Sequence, residues 1–161
     1  MLFRQQPLLV GLSCQLPELG DFLTFDYTGV PLLVVRGQDG VVRSFLNVCR
    51  HRGARFAEGH GNTAKRFRCP YHGWSYDTDG KLVGIPDKKI FFPNVDRSTC
   101  GLVPMPVAES DGMIWTCATP AETSVKSTKL DIQYELAGLG PELRSYNVPK
   151  LSSLCLASTV S

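Results

Sequence analysis

Residues Cys49–Trp74 read CRHRGARFAEGHGNTAKRFRCPYHGW. The stretch sets a Cys-x-His box at Cys49–His51 and a Cys-x-x-His box at Cys69–His72, seventeen residues apart, in a chain with only three histidines. Two thiolates and two imidazoles are a donor set for either a tetrahedral zinc site or an iron–sulfur cluster, so ligand identity alone leaves both open. The arrangement is more telling. Zinc fingers usually pair Cys with Cys on one loop and His with His on the other, whereas here each box supplies one of each. If two such loops face one another, the Cys pair meets on one iron and the His pair on a second, the mixed ligation of a [2Fe–2S] centre in which His replaces two Cys. The split pattern favours the cluster, with a non-redox, zinc-stabilised interaction module as the competing reading.

Around these boxes the chain reads as short strands between turns. DFLTFDY alternates Phe22, Thr24 and Asp26 against Leu23, Phe25 and Tyr27; PLLVVRG is a buried strand, and VVRSFLNV returns beside it. Three Asp-Gly pairs, Asp39-Gly40, Asp79-Gly80 and Asp111-Gly112, separate strand-like runs and predict hairpin turns with positive φ at both central positions. The fold class that follows is mainly β, an antiparallel β sandwich with a short helical C-terminal appendage. A boundary falls near residue 120, where AETSVKSTK reads as a linker. Beyond it LDIQYELAGLGPELRSY carries helical spacing at Leu130, Tyr134 and Ala137, with Gly138 and Gly140 as stops. The division expected is a domain over 1–120 and, over 121–161, a linker and the helical start of a truncated catalytic domain. The final NVPKLSSLCLASTVS has no clear period and reads as an unfinished piece.

Composition narrows the classes. A 161-residue chain with 43% hydrophobic and 20% charged residues is that of a soluble globular protein, and no apolar run reaches the length of a membrane helix. The N-terminal apolar stretch is interrupted by Gln5, Gln6 and Pro7 and lacks a cleavage site, so a cytoplasmic location is expected. Outside the boxes, Cys14, Cys100, Cys117 and Cys155 read as buried small hydrophobes in a reducing compartment. A net charge of +2 gives no general argument for nucleic acid. Locally the balance differs, because Arg50, Arg52, Arg55, Lys65, Arg66 and Arg68 stand against Glu58 alone. Such a run is either a solvated face or a docking face for an acidic partner. His60, between two glycines, reads as a solvated loop residue; Trp74 reads as a shield for the cluster, and Gly53 and Gly73 as turn glycines or as points of close backbone approach.

Cys49-Arg-His51 and Cys69-Pro-Tyr-His72-Gly-Trp74, in the contexts NVCRHRGARF and CPYHGWSYDTDGKLVGIP, resemble the Rieske signature in the N-terminal domain of ring-hydroxylating oxygenase large (alpha) subunits. The likeness covers about residues 8–118. It implies Cys49 and Cys69 on the inner iron, His51 and His72 on the outer one, and a β sandwich with the cluster at two loop tips. It also implies electron transfer from a ferredoxin or flavin reductase, with the oxygenase subunits forming a trimer-based homo-oligomer. Rieske proteins of respiratory complexes carry an extra Cys in each box and a Ser where this chain has Trp74. The missing hydroxyl implies a potential toward the low end of the range, while Tyr76 retains a second hydrogen bond. The resemblance further implies, in a full-length parent, a mononuclear Fe(II) held by two His and a carboxylate. No histidine follows His72, so this chain does not supply that site and is expected not to be a complete catalyst. The function implied is the electron-transfer module of an aromatic-ring-hydroxylating (di)oxygenase; the alternative is a stand-alone Rieske ferredoxin.

Overall fold

The computed structural model describes residues 6–26, 29–120, 130–132 and 140–145. They fall into two compact units, one of residues 18–104 and one built from residues 1–17 with 105–161.

The 18–104 unit carries the two boxes. One sheet contains β2 (Asp21–Phe25), β3 (Leu32–Arg36), β4 (Val42–Leu46), β5 (His60–Asn62) and the short β9 (Pro104–Met105), in the order β5-β2-β3-β4-β9. A second, three-stranded sheet runs β6 (Arg66–Arg68), β7 (Ser75–Asp77), β8 (Leu82–Gly84). The strand pairs described are antiparallel. β3 shows why the apolar run LLVV predicted burial: Leu32, Leu33, Val34 and Val35 are all fully buried, as in a central strand covered on both faces. Leu33, Val35 and Phe45 from the first sheet share one core with Phe67, Tyr76 and Leu82 from the second, which makes the unit a sandwich. Phe22 meets Phe67 edge to face at 5.3 Å, so β2 is covered on both sides and its alternation is weaker than the sequence predicts. A short helix α1 (Lys88–Phe91) follows β8.

The hairpins sit where the Asp-Gly pairs place them, but two are of another kind. Gly37 and Asp77 each donate to the carbonyl four residues on and accept from the glycine three on, enclosing three-residue loops in which only Gly40 and Gly80 have positive φ. This is a type I turn closed by a left-handed glycine. At Asp111-Gly112 both central residues have positive φ (53° and 77°), as predicted.

In the other unit β1 (Leu8–Leu12), β10 (Val107–Ser110) and β11 (Met113–Thr116) form a sheet in the order β1-β11-β10. Met113 and Trp115 are buried with Ile132, and Leu130 and Leu143 pack on the same cluster. Gly140, predicted to stop a helix, instead opens one: α2 spans Gly140–Ser145. Pro141 explains the reversal, since proline suits the first turn of a helix, where its missing N–H has no partner to lose. Tyr134, Ala137, Gly138, the linker and the C-terminal stretch lie outside the described residues. Among the described residues no helix is long and apolar enough to cross a membrane.

Candidate metal centre

The two boxes form two loops of one design. After β4 the Cys49 N–H donates to the Ala54 carbonyl (2.8 Å) and the Gly53 N–H to the Cys49 carbonyl (2.9 Å). After β6 the Cys69 N–H donates to the Trp74 carbonyl (2.8 Å) and the Gly73 N–H to the Cys69 carbonyl (2.9 Å). In each loop the glycine four residues past the cysteine closes the turn, at φ 73° for Gly53 and 72° for Gly73. A side chain is disfavoured at either position by that backbone alone. Gly73 is constrained twice, because a Cβ there would lie 2.9 Å from Pro86 Cγ. Asn47 anchors the first loop. Buried at the end of β4, it donates from Nδ2 to the Ala57 carbonyl (2.8 Å) and accepts at Oδ1 from the Phe56 and Ala57 amides (3.4 and 3.3 Å).

Sulfur and nitrogen donors are graded by depth. Cys49 and Cys69 are free thiols embedded in the sandwich core, each 2% exposed. His51 is half-buried and His72 exposed, with their rings 4.5 Å apart at 73°. Trp74, itself buried, stacks parallel on His51 at 5.0 Å, and Phe92 meets both rings edge-on. Trp74 therefore covers a box histidine, as a shield would. Tyr76 is fully buried; its hydroxyl accepts from the Arg50 amide at 3.0 Å, which leaves its proton for the Cys49 sulfur at 3.3 Å. Burial, then that bond to Cys49, holds the Tyr76 pKa well above its usual value, so the hydroxyl stays a donor. Burial also pushes the Cys49 thiol up, and pushes His51 down with help from His72 and Arg52. That shift favours the neutral imidazole, and among the described residues the buried His51 Nδ1 has no hydrogen-bond partner.

This donor set fits a two-iron cluster better than a single ion. An imidazole nitrogen without a hydrogen-bond partner is what a metal ligand offers, and two sulfurs below two imidazoles would supply two ligands to each of two irons. A tetrahedral zinc site needs four donors converging on one point. Among the described residues no three His, Cys, Asp or Glu side chains do so.

Other sequence expectations meet mixed outcomes. His60 is exposed, as predicted, but sits in β5 opposite Leu23 of β2, not in a loop. Cys117 is buried, and Cys100 is a free thiol half-buried against the core. Cys14 departs from its reading as a buried free thiol: it is half-buried and disulfide-bonded. Cys155 lies outside the described residues. All six cations between the boxes are exposed, and Arg55 is ion-paired with Asp26. Asn47 and Phe92 were missed; Asn47 had a signal in its place two residues before the first Cys, whereas Phe92 had none.

Residues 6–96 match the family described as Rieske [2Fe-2S] domain. The chain is 43% identical over 115 residues to biphenyl 2,3-dioxygenase subunit alpha of Rhodococcus jostii (strain RHA1), covering 71% of this chain and 25% of the relative. It is 36% identical over 114 residues to the glycine betaine monooxygenase oxygenase subunit of Pseudomonas aeruginosa, covering 71% and 26%. Among solved structures, the quaternary ammonium Rieske monooxygenase CntA superposes with a TM-score of 0.76 at 26% identity, over 89% of this chain and 38% of that one. Naphthalene 1,2-dioxygenase from Rhodococcus sp. superposes with a TM-score of 0.69 at 35% identity, over 77% and 29%. The chain spans about a quarter of the length of the curated relatives it matches.

Proposed function

Because the chain belongs to the Rieske [2Fe–2S] domain family, homologous to the N-terminal region of ring-hydroxylating dioxygenase alpha subunits, we propose that it is the electron-accepting module of such an oxygenase. Cys49 and Cys69 would hold one iron and His51 and His72 the other. When bound, the cluster takes up and returns one electron at a time. The protein's part is to tune and insulate it. Tyr76 donates to the Cys49 sulfur, favouring the more electron-rich form. Trp74 and Phe92 cover His51 and exclude water from it, while exposed His72, with Tyr71 against its ring at 4.1 Å, is the edge presented to redox partners.

The electron donor in this reading is a ferredoxin or flavin reductase. Residues 1–120 form the electron-transfer domain and 121–161 lead into the next, within a parent whose mononuclear Fe(II) is held by two His and a carboxylate outside this chain and whose subunits form trimer-based homo-oligomers. The free thiols of Cys49, Cys69 and Cys100 suit the proposed cytoplasmic setting, while the disulfide at Cys14 counts against it. Aromatic compounds are the proposed substrate class, on the strength of the biphenyl relative. The glycine betaine relative matches a segment of similar length, so substrate choice belongs to other parts of the parent.

The observation that carries the proposal is the pairing of two core-embedded thiols beneath two adjacent imidazoles on loops of the same hydrogen-bonded design. Metal and acid-labile sulfide analysis of the purified chain tests it. About two irons and two sulfides per chain, with the rhombic paramagnetic signal of a reduced Rieske centre after dithionite, are expected. One zinc and no sulfide would refute it.

A further inference from the structure

β4 and β7 each join a proposed cluster loop to an Asp-Gly hairpin, in opposite chain directions. β4 leaves the hairpin at Gly40 and leads to Cys49, whereas β7 leaves the second loop at Trp74 and leads to the hairpin at Gly80. The spacing of the two loops therefore depends on how the two sheets are held together. At the loop end Tyr76 of β7 ties them, through its bonds to the Cys49 sulfur and the Arg50 amide beyond β4.

At the hairpin end the tie is Arg43. It leaves β4 on the same face as Phe45, two residues on, and Phe45 lies in the core shared with the second sheet. Its guanidinium forks onto Asp39 of its own hairpin, Nη1 to Oδ1 at 2.8 Å and Nη2 to Oδ2 at 2.7 Å, and Nη2 also reaches Asp79 Oδ1 of the other hairpin at 3.4 Å. The fork is fixed in place: Arg43 holds the Asp39 carboxyl well below the usual carboxylate range, and a Cβ on Gly37 would strike the guanidinium. Asp79 is placed by its amide, which donates to Asp77 Oδ1 at 3.0 Å, while Lys81 approaches its other oxygen at 3.5 Å. Beneath these ion pairs the sheets close on each other, since a Cβ on Gly80 would lie 2.5 Å from Phe45 Cε1. An ion pair near the surface adds little to stability, so what this one contributes is geometry.

We propose that Arg43 is a positioning residue for the cluster: by clasping the two hairpins it sets the separation of the sheets at which Tyr76 meets the Cys49 sulfur. The inference rests on the electron-transfer reading above and adds to it a residue outside both boxes. Arg43 stands six residues before Cys49, up to about 20 Å of extended chain, so it acts through the sheets rather than by contact with a ligand.

The test uses the full chain. Arg43→Met keeps the apolar stem and removes the charge. Loaded with iron and sulfide, it should shift the reduction potential in the same direction as Tyr76→Phe and release iron to a chelator about fivefold faster than the wild type. Arg43→Lys, which keeps a cation between the hairpins, should recover most of both effects. In the Tyr76→Phe background Arg43→Met should leave the potential where Tyr76→Phe puts it, because the bond it positions is gone. Before loading, the Arg50 amide should exchange its hydrogen faster in Arg43→Met than in the wild type, with the β3 amides unchanged. Val34→Ala is the control for stability alone, a cavity on the face of β3 turned away from the shared core. It should lower the denaturant midpoint at least as far as Arg43→Met, yet keep the wild-type potential and iron release within about twofold. A wild-type potential in Arg43→Met, or a shift that persists in the Tyr76→Phe background, overturns the proposal. Iron loss in Val34→Ala as fast as in Arg43→Met overturns it too, since retention would then follow stability. Should Arg43→Met fail to fold, Asp79→Asn, which breaks only the arm between the sheets, is read in the same way. A wild-type chain without iron and sulfide would refute the electron-transfer reading itself, a result distinct from a loaded cluster indifferent to Arg43.

Discussion

Within the two boxes each side chain has one task, and the tasks separate under mutation. Cys69→Ala and His72→Ala each remove a proposed ligand and should yield colourless protein, whereas His60→Ala, on the exposed strand β5, should keep its iron and sulfide. Metal analysis of the three decides, and loss of iron in His60→Ala with retention in the other two would reverse the ligand assignment. Tyr76 differs in kind, since its hydroxyl donates to the Cys49 sulfur without being a ligand. Tyr76→Phe should therefore keep the cluster and lower its potential, because the reduced form loses a donor to its more negative sulfur. A bond that differs by about 1 kcal/mol between redox states corresponds to roughly 40 mV for one electron. With Trp74 in place of a hydroxyl, the wild-type centre is expected near the roughly −150 mV end of the Rieske range. Direct voltammetry reads both quantities; a positive wild-type potential, or no change in Tyr76→Phe, would show that side-chain hydrogen bonds do not set the potential.

Strands and loops fix where those side chains sit, and at this scale the sequence was only partly readable. The boxes stood out because ligand spacing is local, and the hairpins because Asp-Gly is a local turn signal. Turn type was not local: at Gly40 and Gly80 loop length and the twist of the flanking strands chose a three-residue turn, so only one positive-φ residue was needed. Asn47 offered only its place two residues before Cys49, and its anchoring role was hidden for the same reason, since its partners Phe56 and Ala57 return to it only once the first loop has folded. Asn47→Ala strands those backbone groups in the core and should cost on the order of 2–4 kcal/mol, read by denaturant unfolding. The twin glycines give an internal control. Gly53→Ala and Gly73→Ala share the same backbone strain, about 1–2 kcal/mol each, but only the second drives a Cβ into Pro86. Gly73→Ala should be the more destabilising of the two and the more damaging to iron content. Equal losses would mean that Pro86 yields freely.

For the chain as a whole, what it can do depends on how many donors it owns. Its three histidines are His51, His60 and His72, and two of them are assigned to the cluster. Irons that take two protein ligands each and share bridging sulfides have no open position for oxygen, so oxygen chemistry needs a second metal. A facial site of two imidazoles and a carboxylate needs one imidazole more than His60 provides. This limit was legible in the sequence, because counting a residue type requires no fold. The disulfide at Cys14 was not, because it joins residues whose proximity only the fold decides. Loaded with iron and sulfide and supplied with reductase, NADH, aromatic compound and oxygen, the chain should cycle between oxidised and reduced forms without putting oxygen into product. Added ferrous iron should not change that outcome, since no second set of donors awaits it. Isotopically labelled oxygen makes the measurement direct: label in product above the level of a Cys49→Ala control would mean that His60, or a partner copy's residues, completes a site that donor counting within one chain does not reveal.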